Sequence, residues 1–399
     1  MKIELRFQEK TVTGPVTSPG SVTLDDAVRQ LRSIWQQLLG IESIGLDQNY
    51  FDLGGDSILA VQLFAQIEQV FGVKLPVATL FDAPTIEALA PMLCHDSPAS
   101  ASVWSPLVVI QPTGSRPPFF SMHGAGGNVL IYRELSLNLS SDQPFYGLQS
   151  QGLDGTCAPI TTVEDMAALY VKEIRKVRPH GPYLLGGYCG GGTIAYEVAQ
   201  QLTRAGEQVA LLALFDTMNW SMFPPPTILH KAYYHCQKLV FHAMNFLRLD
   251  GAGQSKFFRE KLGILRSRIP IWRATLMARL FESSRTGRSE SRILAEIWQN
   301  NDCASSKYVP KPYSGVVTDF RPLKQYRMFD NPDAKWEHLA LEGQEIVTLP
   351  VYPAGMLLEP YVKHLATALR TSIDRAMSIG QPLPFRSQRA HDEEMEVRR

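Results

Sequence analysis

Gly186–Glu197 reads GGYCGGGTIAYE. Within it, Gly187, Tyr188, Cys189, Gly190 and Gly191 have the form G-x-S-x-G with cysteine in place of serine. The apolar run PYLL precedes it, and Ile194, Val198 and Leu202 follow at helical spacing. Strand, tight turn and helix is the order the motif requires, because a nucleophile on a strained turn needs small neighbours two positions away on each side. Gly187 and Gly191 meet that need. The competing reading is a small buried cysteine among packing glycines, since free cysteine is among the most buried residue types.

Working outward, PFFSMHGAGGNVLIY, Pro118–Tyr132, places a strand before an HG-type glycine loop. The backbone N–H groups of Gly190, which follows the nucleophile, and of Ala125 are the candidate oxyanion donors. ALLALFDT ends a further strand at Asp216, where the acid that orients a triad histidine belongs; a helix cap or turn is the alternative use for it. LVVI, PPFFSMH, FYGLQS, PYLLGGYC, ALLALFD and EIVTLPVY are the strand candidates. Helical stretches such as Val163 to Val177 and Thr193 to Ala205 separate them, so a parallel α/β architecture is expected.

Upstream, the periodicity is purely helical. Thr23 can cap a helix with Asp26 three residues on, and Val28, Leu31, Ile34, Trp35 and Leu38 follow up to Gly40. A second helix is predicted from Ser57, with Ala60, Leu63, Phe64, Ile67, Val70 and Phe71 on one face and Gly72 ending it. A third, short one is predicted around Pro84 to Met92. At the entry to the second helix stands FDLGGDSILAVQL, Phe51–Leu63, in which Gly54 and Gly55 read as a turn and Asp56 or Ser57 as an N-cap.

Taken with the bundle around it, that string resembles the attachment site of peptidyl carrier domains in nonribosomal peptide synthetases. The match runs from LRSIWQQLLG through GLDQNYFDLGGDSI to FDAPTIEALA. The resemblance implies that Ser57 bears a covalent 4'-phosphopantetheine arm installed by a phosphopantetheinyl transferase. A helix N-terminus suits a phosphodiester, because free N–H groups and the positive end of the dipole meet it there. Leu107 to about Ile373, including RPHGPYLLGGYCGGG and GMLLEPYVKHLA, resembles the α/β-hydrolase thioesterase domains that close nonribosomal peptide and polyketide assembly lines. What this implies is an acyl or peptidyl thioester passed from the arm on Ser57 to Cys189, then released by hydrolysis, cyclisation or transfer. Adenylation or other synthetase domains are the implied upstream partners. The rival is a carrier fused to a catalytically silent hydrolase fold that docks or holds acyl groups.

One departure stands out. The family's catalytic histidine follows the last strand, and counting back from Met356 in VYPAGMLLEPYV puts Pro353 there. His123 in the glycine loop is the candidate base beside the nucleophile, although a structural role is expected of it; His338 precedes the last strand and His364 falls within the terminal helix. A thiol needs less help than a hydroxyl, and a helix N-terminus is expected to favour its thiolate.

The expected organisation is an N-terminal extension (1–22) and an all-α carrier bundle of four-helix type (23–94). A flexible linker (95–106) leads to an α/β-hydrolase domain (107–376) with a helical lid at about 218–310, and a disordered tail (377–399) ends the chain. The lid carries 14 Lys and Arg against 6 Asp and Glu, whereas residues 20–94 carry 3 against 9, so electrostatic docking of the two is expected. Across all 399 residues Lys plus Arg equals Asp plus Glu at 39 each, which argues against nucleic-acid binding. Without a signal-like start or a long apolar run, a soluble cytoplasmic protein with no membrane contact is expected. Five scattered cysteines support neither a disulfide framework nor a metal site.

Overall fold

A computed structural model describes residues 23–55, 57–94, 104–219, 290–323, 336–352 and 355–378, with short helical pieces between 229 and 240. For Ser57, Ile58, Glu290 and Ser291 it describes the backbone alone. The N-terminal extension, residues 95–103 of the expected linker, most of the lid, Pro353 and the tail lie outside the described residues.

The first region holds four helices, α1 (Leu24–Leu39), α2 (Ser57–Phe71), α3 (Thr79–Asp82) and α4 (Ile86–Leu89), closed by a 3-10 turn at Ala90–Leu93. Thr23 caps α1 as its sequence predicts: the hydroxyl accepts from the Asp26 N–H at 3.2 Å and donates to the Asp26 carboxylate at 2.7 Å. Gly40 ends the helix with φ 70. Ala27, Leu31, Ile34 and Trp35 bury one face of α1 against Ala60, Leu63, Phe64, Ile67 and Phe71 of α2. Val70, expected on the same stripe, is 50% exposed at its edge.

The glycine pair before Ser57 has a folding reason of its own. Gly54 stands at φ 91, and a Cβ on Gly55 would lie 2.3 Å from the ring of Tyr50. That ring is fully buried and packs edge-on against Trp35 at 5.2 Å. The loop leading to Ser57 is thus folded onto the bundle core, beyond leaving room for an arm.

The second region is a seven-stranded sheet. Its strands are β1 (Leu107–Gln111), β2 (Phe119–Met122), β3 (Phe145–Leu148), β4 (Tyr183–Tyr188), β5 (Val209–Phe215), β6 (Val317–Pro322) and β7 (Gln344–Leu349), in the order β1-β3-β2-β4-β5-β6-β7. β1 runs antiparallel to β3 and every other pair is parallel, so the sheet is mixed where an all-parallel one was expected. Helices α6 (Val163–Val177) and α7 (Gly190–Arg204) cover one face; α5 (Arg133–Leu139) and α9 (Val362–Ser378) cover the other. Helix α8 (Glu290–Lys307) ends the long insert. β2 connects outward to β3 while β4 continues to the other side. The end of β4 therefore lies at the switch point where parallel sheets place their sites.

β6 was absent from the expected strands. VTDFRP interrupts its apolar run with Asp319 and Arg321, yet Asp319 is buried, accepting from the Arg321 Nε at 2.7 Å and the Gln344 Nε2 at 2.9 Å.

Gly55→Ala is expected to destabilise the first region by about 1–3 kcal/mol, the usual cost of forcing extra volume into a packed core. In the full chain this should appear as faster amide exchange in α1 and α2 with exchange in the β4–α7 unit unchanged.

Candidate functional site

Cys189 is the residue between β4 and α7, at φ 54 and ψ −121, a conformation that non-glycine residues avoid. Its N–H donates to the Phe215 carbonyl at 3.0 Å, and its carbonyl accepts from Gly192 at 3.1 Å. Both flanking glycines are sterically required. A Cβ on Gly187 would lie 2.2 Å from the carbonyl carbon of Gly191, and one on Gly191 would lie 2.3 Å from the Met122 carbonyl oxygen. α7 therefore starts at Gly190, three residues earlier than expected, flush against β2 and β4. Tyr132 braces the turn from below: its hydroxyl donates to the Met122 carbonyl at 2.5 Å and accepts from the Tyr188 N–H at 2.9 Å. Nothing in the sequence pattern marked that tyrosine.

Gly190 is the first residue of α7 and Ala125 lies on the glycine loop after β2, and the Gly190 backbone N–H acts to favour the Cys189 thiolate. Asp216 also has a positive φ, of 45, and its N–H donates to the Phe320 carbonyl at 2.9 Å. Its charge is felt at Cys189. Trp336 holds the next residue, its indole N–H donating to the Thr217 carbonyl at 3.1 Å.

The thiol does not behave as its helix-terminal position predicts. Its surface is half-buried, but it sits in dense protein, and burial pushes the group up to about 12. The negative charge of Asp216, and after it that of Asp302 on α8, acts in the same direction. The Gly190 N–H opposes them and loses. At neutral pH the resting group is the thiol.

His123 is a strut. It is fully buried, with Nδ1 2.7 Å from the Gly124 carbonyl and Nε2 2.7 Å from the Tyr170 hydroxyl, which is itself 3.1 Å from the Gln149 carbonyl. Burial lowers its pKa to about 4, so the ring is neutral, with Nδ1 committed to the loop and Nε2 to Tyr170 on α6. His338 and His364 are on the surface. Among the described residues no group of three His, Cys, Asp or Glu side chains could hold a metal, and no helix is long and apolar enough to cross a membrane.

The first region meets the second near the glycine loop. Leu130 enters the apolar cluster of the helical bundle, Phe81 packs against the α5–α9 core, and the Arg133 guanidinium lies 4.3 Å from the centroid of Phe51. This contact is apolar and cation–π in character; the basic lid expected to dock electrostatically falls largely outside the described residues. A cavity of about 570 Å³ opens between α2, the 149–157 loop and α8, lined by Phe64, Leu75, Leu153, Cys157 and Ile293. Cys189 is not part of its lining.

Fold and site together define a helical carrier region joined to a thioesterase-type α/β domain. Residues 29–93 match the family described as "Phosphopantetheine attachment site", and residues 117–224 match "Thioesterase domain". The first match indicates covalent attachment of 4'-phosphopantetheine. The malpinin synthetase of Mortierella alpina is 43% identical over 187 residues, which cover 47% of this chain and 2% of that protein. A dimodular nonribosomal peptide synthase of Bacillus subtilis (strain 168) is 39% identical over 201 residues, covering 50% of this chain and 8% of that one. The chain thus spans a small fraction of the length of the curated relatives it matches. In fold it is similar to a holo four-domain nonribosomal peptide synthetase crystallised with AMP and glycine, with a TM-score of 0.53 and 23% identity over 94% of this chain and 28% of that one. The arrangement, carrier then thioesterase domain, resembles the terminal units of nonribosomal peptide synthetases.

Asp216→Asn removes the negative charge that acts most strongly on Cys189 and should lower its pKa. Each unit of lowering raises the thiolate fraction at pH 8 about tenfold. Peptide mapping after iodoacetamide treatment should show faster alkylation of Cys189 in the variant. In the parent chain the rate should still climb at pH 10 without a plateau.

Proposed function

We propose that Cys189 receives the acyl or peptidyl group from a 4'-phosphopantetheine arm on Ser57 and passes it on as a reactive thioester. The observation that carries this reading is the turn itself: a cysteine at φ 54 on the β4–α7 junction, with the Gly190 N–H favouring its thiolate. In the transfer, the Cys189 sulfur bonds to the acyl carbon and the bond from that carbon to the arm's sulfur breaks. The thiol proton ends on the departing pantetheine sulfur. One thioester is exchanged for another, so the step is nearly balanced. Gly190 and Ala125 supply N–H groups to the developing oxyanion.

Asp216, in a triad, would orient a histidine. With Pro353 at the family's histidine position, the sequence places no histidine there, and the charge of Asp216 opposes thiolate formation at Cys189. The deficit weighs most on the second step, because water is a poor nucleophile without a general base. We assign release to a stronger nucleophile, an amine, alcohol or carbanion, in preference to hydrolysis. No catalytic base is assigned to His123. A phosphopantetheinyl transferase and upstream synthetase domains that load the arm complete the proposed partners.

The raised thiol pKa favours one rival, a silent domain that holds or docks the carrier. Loading the carrier with an acyl-pantetheine and following the intact full-length protein by mass spectrometry separates the two. Transfer predicts a second acyl mass adduct mapping to Cys189, lost in Cys189→Ala; a silent domain predicts acylation at Ser57 alone.

Pro353→His should restore a base at the expected position. Free acid should then be released at least about tenfold faster, within the range that general-base catalysis contributes. An unchanged rate would show that register alone does not rebuild the triad.

A further inference from the structure

Helix α8 returns from the long insert directly over the candidate oxyanion loop, and three of its residues on one face make the contacts. Trp298 lies 3.5 Å from where a Cβ of Gly126 would stand, and the Ser305 Oγ lies 3.0 Å from the corresponding point on Gly190. Between them, Asn301 donates from Nδ2 to the Ala125 carbonyl at 3.1 Å. Asn301 is 3% exposed, and its Oδ1 is buried with no hydrogen-bond partner among the described residues. The orientation of the amide follows from chemistry: a carbonyl only accepts, so the NH₂ group must face Ala125 and the oxygen must face away.

A buried acceptor left unpaired is costly, and the same amide holds the carbonyl of Ala125, the residue whose N–H would receive the oxyanion. An acceptor there can be satisfied only by a donor. We propose that the Asn301 Oδ1 accepts a hydrogen bond from an N–H of the thioester substrate, a few bonds from the reacting carbonyl, making Asn301 a specificity-determining residue. Two sources carry such an N–H: the α-nitrogen of an aminoacyl or peptidyl group, and the first amide of the pantetheine arm. The inference rests on the reading of Cys189 as acyl acceptor and deepens it by naming what the site reads in its substrate.

The test uses the full chain and four small thioesters: an α-acylamino acyl group and its des-amino counterpart, each on N-acetylcysteamine and on propanethiol. The rate of acyl-Cys189 formation is read by intact mass. An N–H-bearing substrate is expected to react at least about tenfold faster than its counterpart, and the arm of the comparison that shows the difference identifies the source. Asn301→Leu should abolish that preference. Asn301→Asp, which keeps an acceptor oxygen but loses the donor to Ala125, should keep the preference while slowing all four substrates. Equal rates for all four in the parent chain would overturn the inference whatever the variants do. So would a loss in Asn301→Leu that is the same for every substrate, since that is the signature of a purely structural support. Absence of any acyl-Cys189 would remove the reading beneath it instead, and the inference with it.

Discussion

The geometry of the second region hangs on an approach of backbone to backbone that only glycine permits. Gly191 brings the first turn of α7 to a distance from Met122 at which a single added carbon would collide with the carbonyl oxygen, and Gly187 does the same against Gly191. With helix and strand this close, the chain must turn at Cys189 within one residue, and the positive φ there is the consequence. The sharpness of the turn leaves Cys189 half-buried at the switch point between β2 and β4, at the N-terminus of α7. Tyr132, bonded to both Met122 and Tyr188, ties the two strands together beneath the turn. Strain at one residue is held by contacts from three elements.

The same compactness governs the electrostatics. A helix N-terminus stabilises a thiolate when the sulfur is open to solvent or near a cation. Here the neighbours are a buried strand end and two carboxylates, Asp216 and Asp302, and the one favourable N–H does not offset them. The charge balance around Cys189 is that of a site which keeps its thiol protonated.

Much of this was legible in the sequence because it depends on local, short-range chemistry. The Thr23 cap, the Gly40 stop, the helix beginning at Ser57 and the strand-turn-helix around Cys189 follow from residue types at fixed offsets, and α6 spans the predicted residues. What escaped was set at long range. β6 does not read as a strand because Asp319 and Arg321 break its apolar run; they are tolerated because they neutralise each other and Gln344 adds a hydrogen bond to the buried carboxylate. The antiparallel β1 is decided by its pairing with β3, which no periodicity in LVVIQ reveals. Asn301, far downstream of the glycine loop, carries no motif at all, and only the return path of the insert brings it to Ala125.

That return path is firmly held. The Tyr308 hydroxyl donates to the buried Glu197 carboxylate on α7 at 2.6 Å, and Gln200 and the Tyr196 hydroxyl both donate to the Lys311 carbonyl, at 2.7 and 2.8 Å. Tyr196 packs at 4.5 Å on Trp336, whose indole in turn fixes the residue after Asp216. The end of the insert is therefore clamped to the helix that begins at the nucleophile, and the residues after the acid are clamped to the same helix. Because α8 is anchored to α7 at its C-terminal end and to the glycine loop through Asn301, it behaves as a wall of the site. The end of the insert is thus a fixed surface, held against the helix that begins beside Cys189 and against the glycine loop.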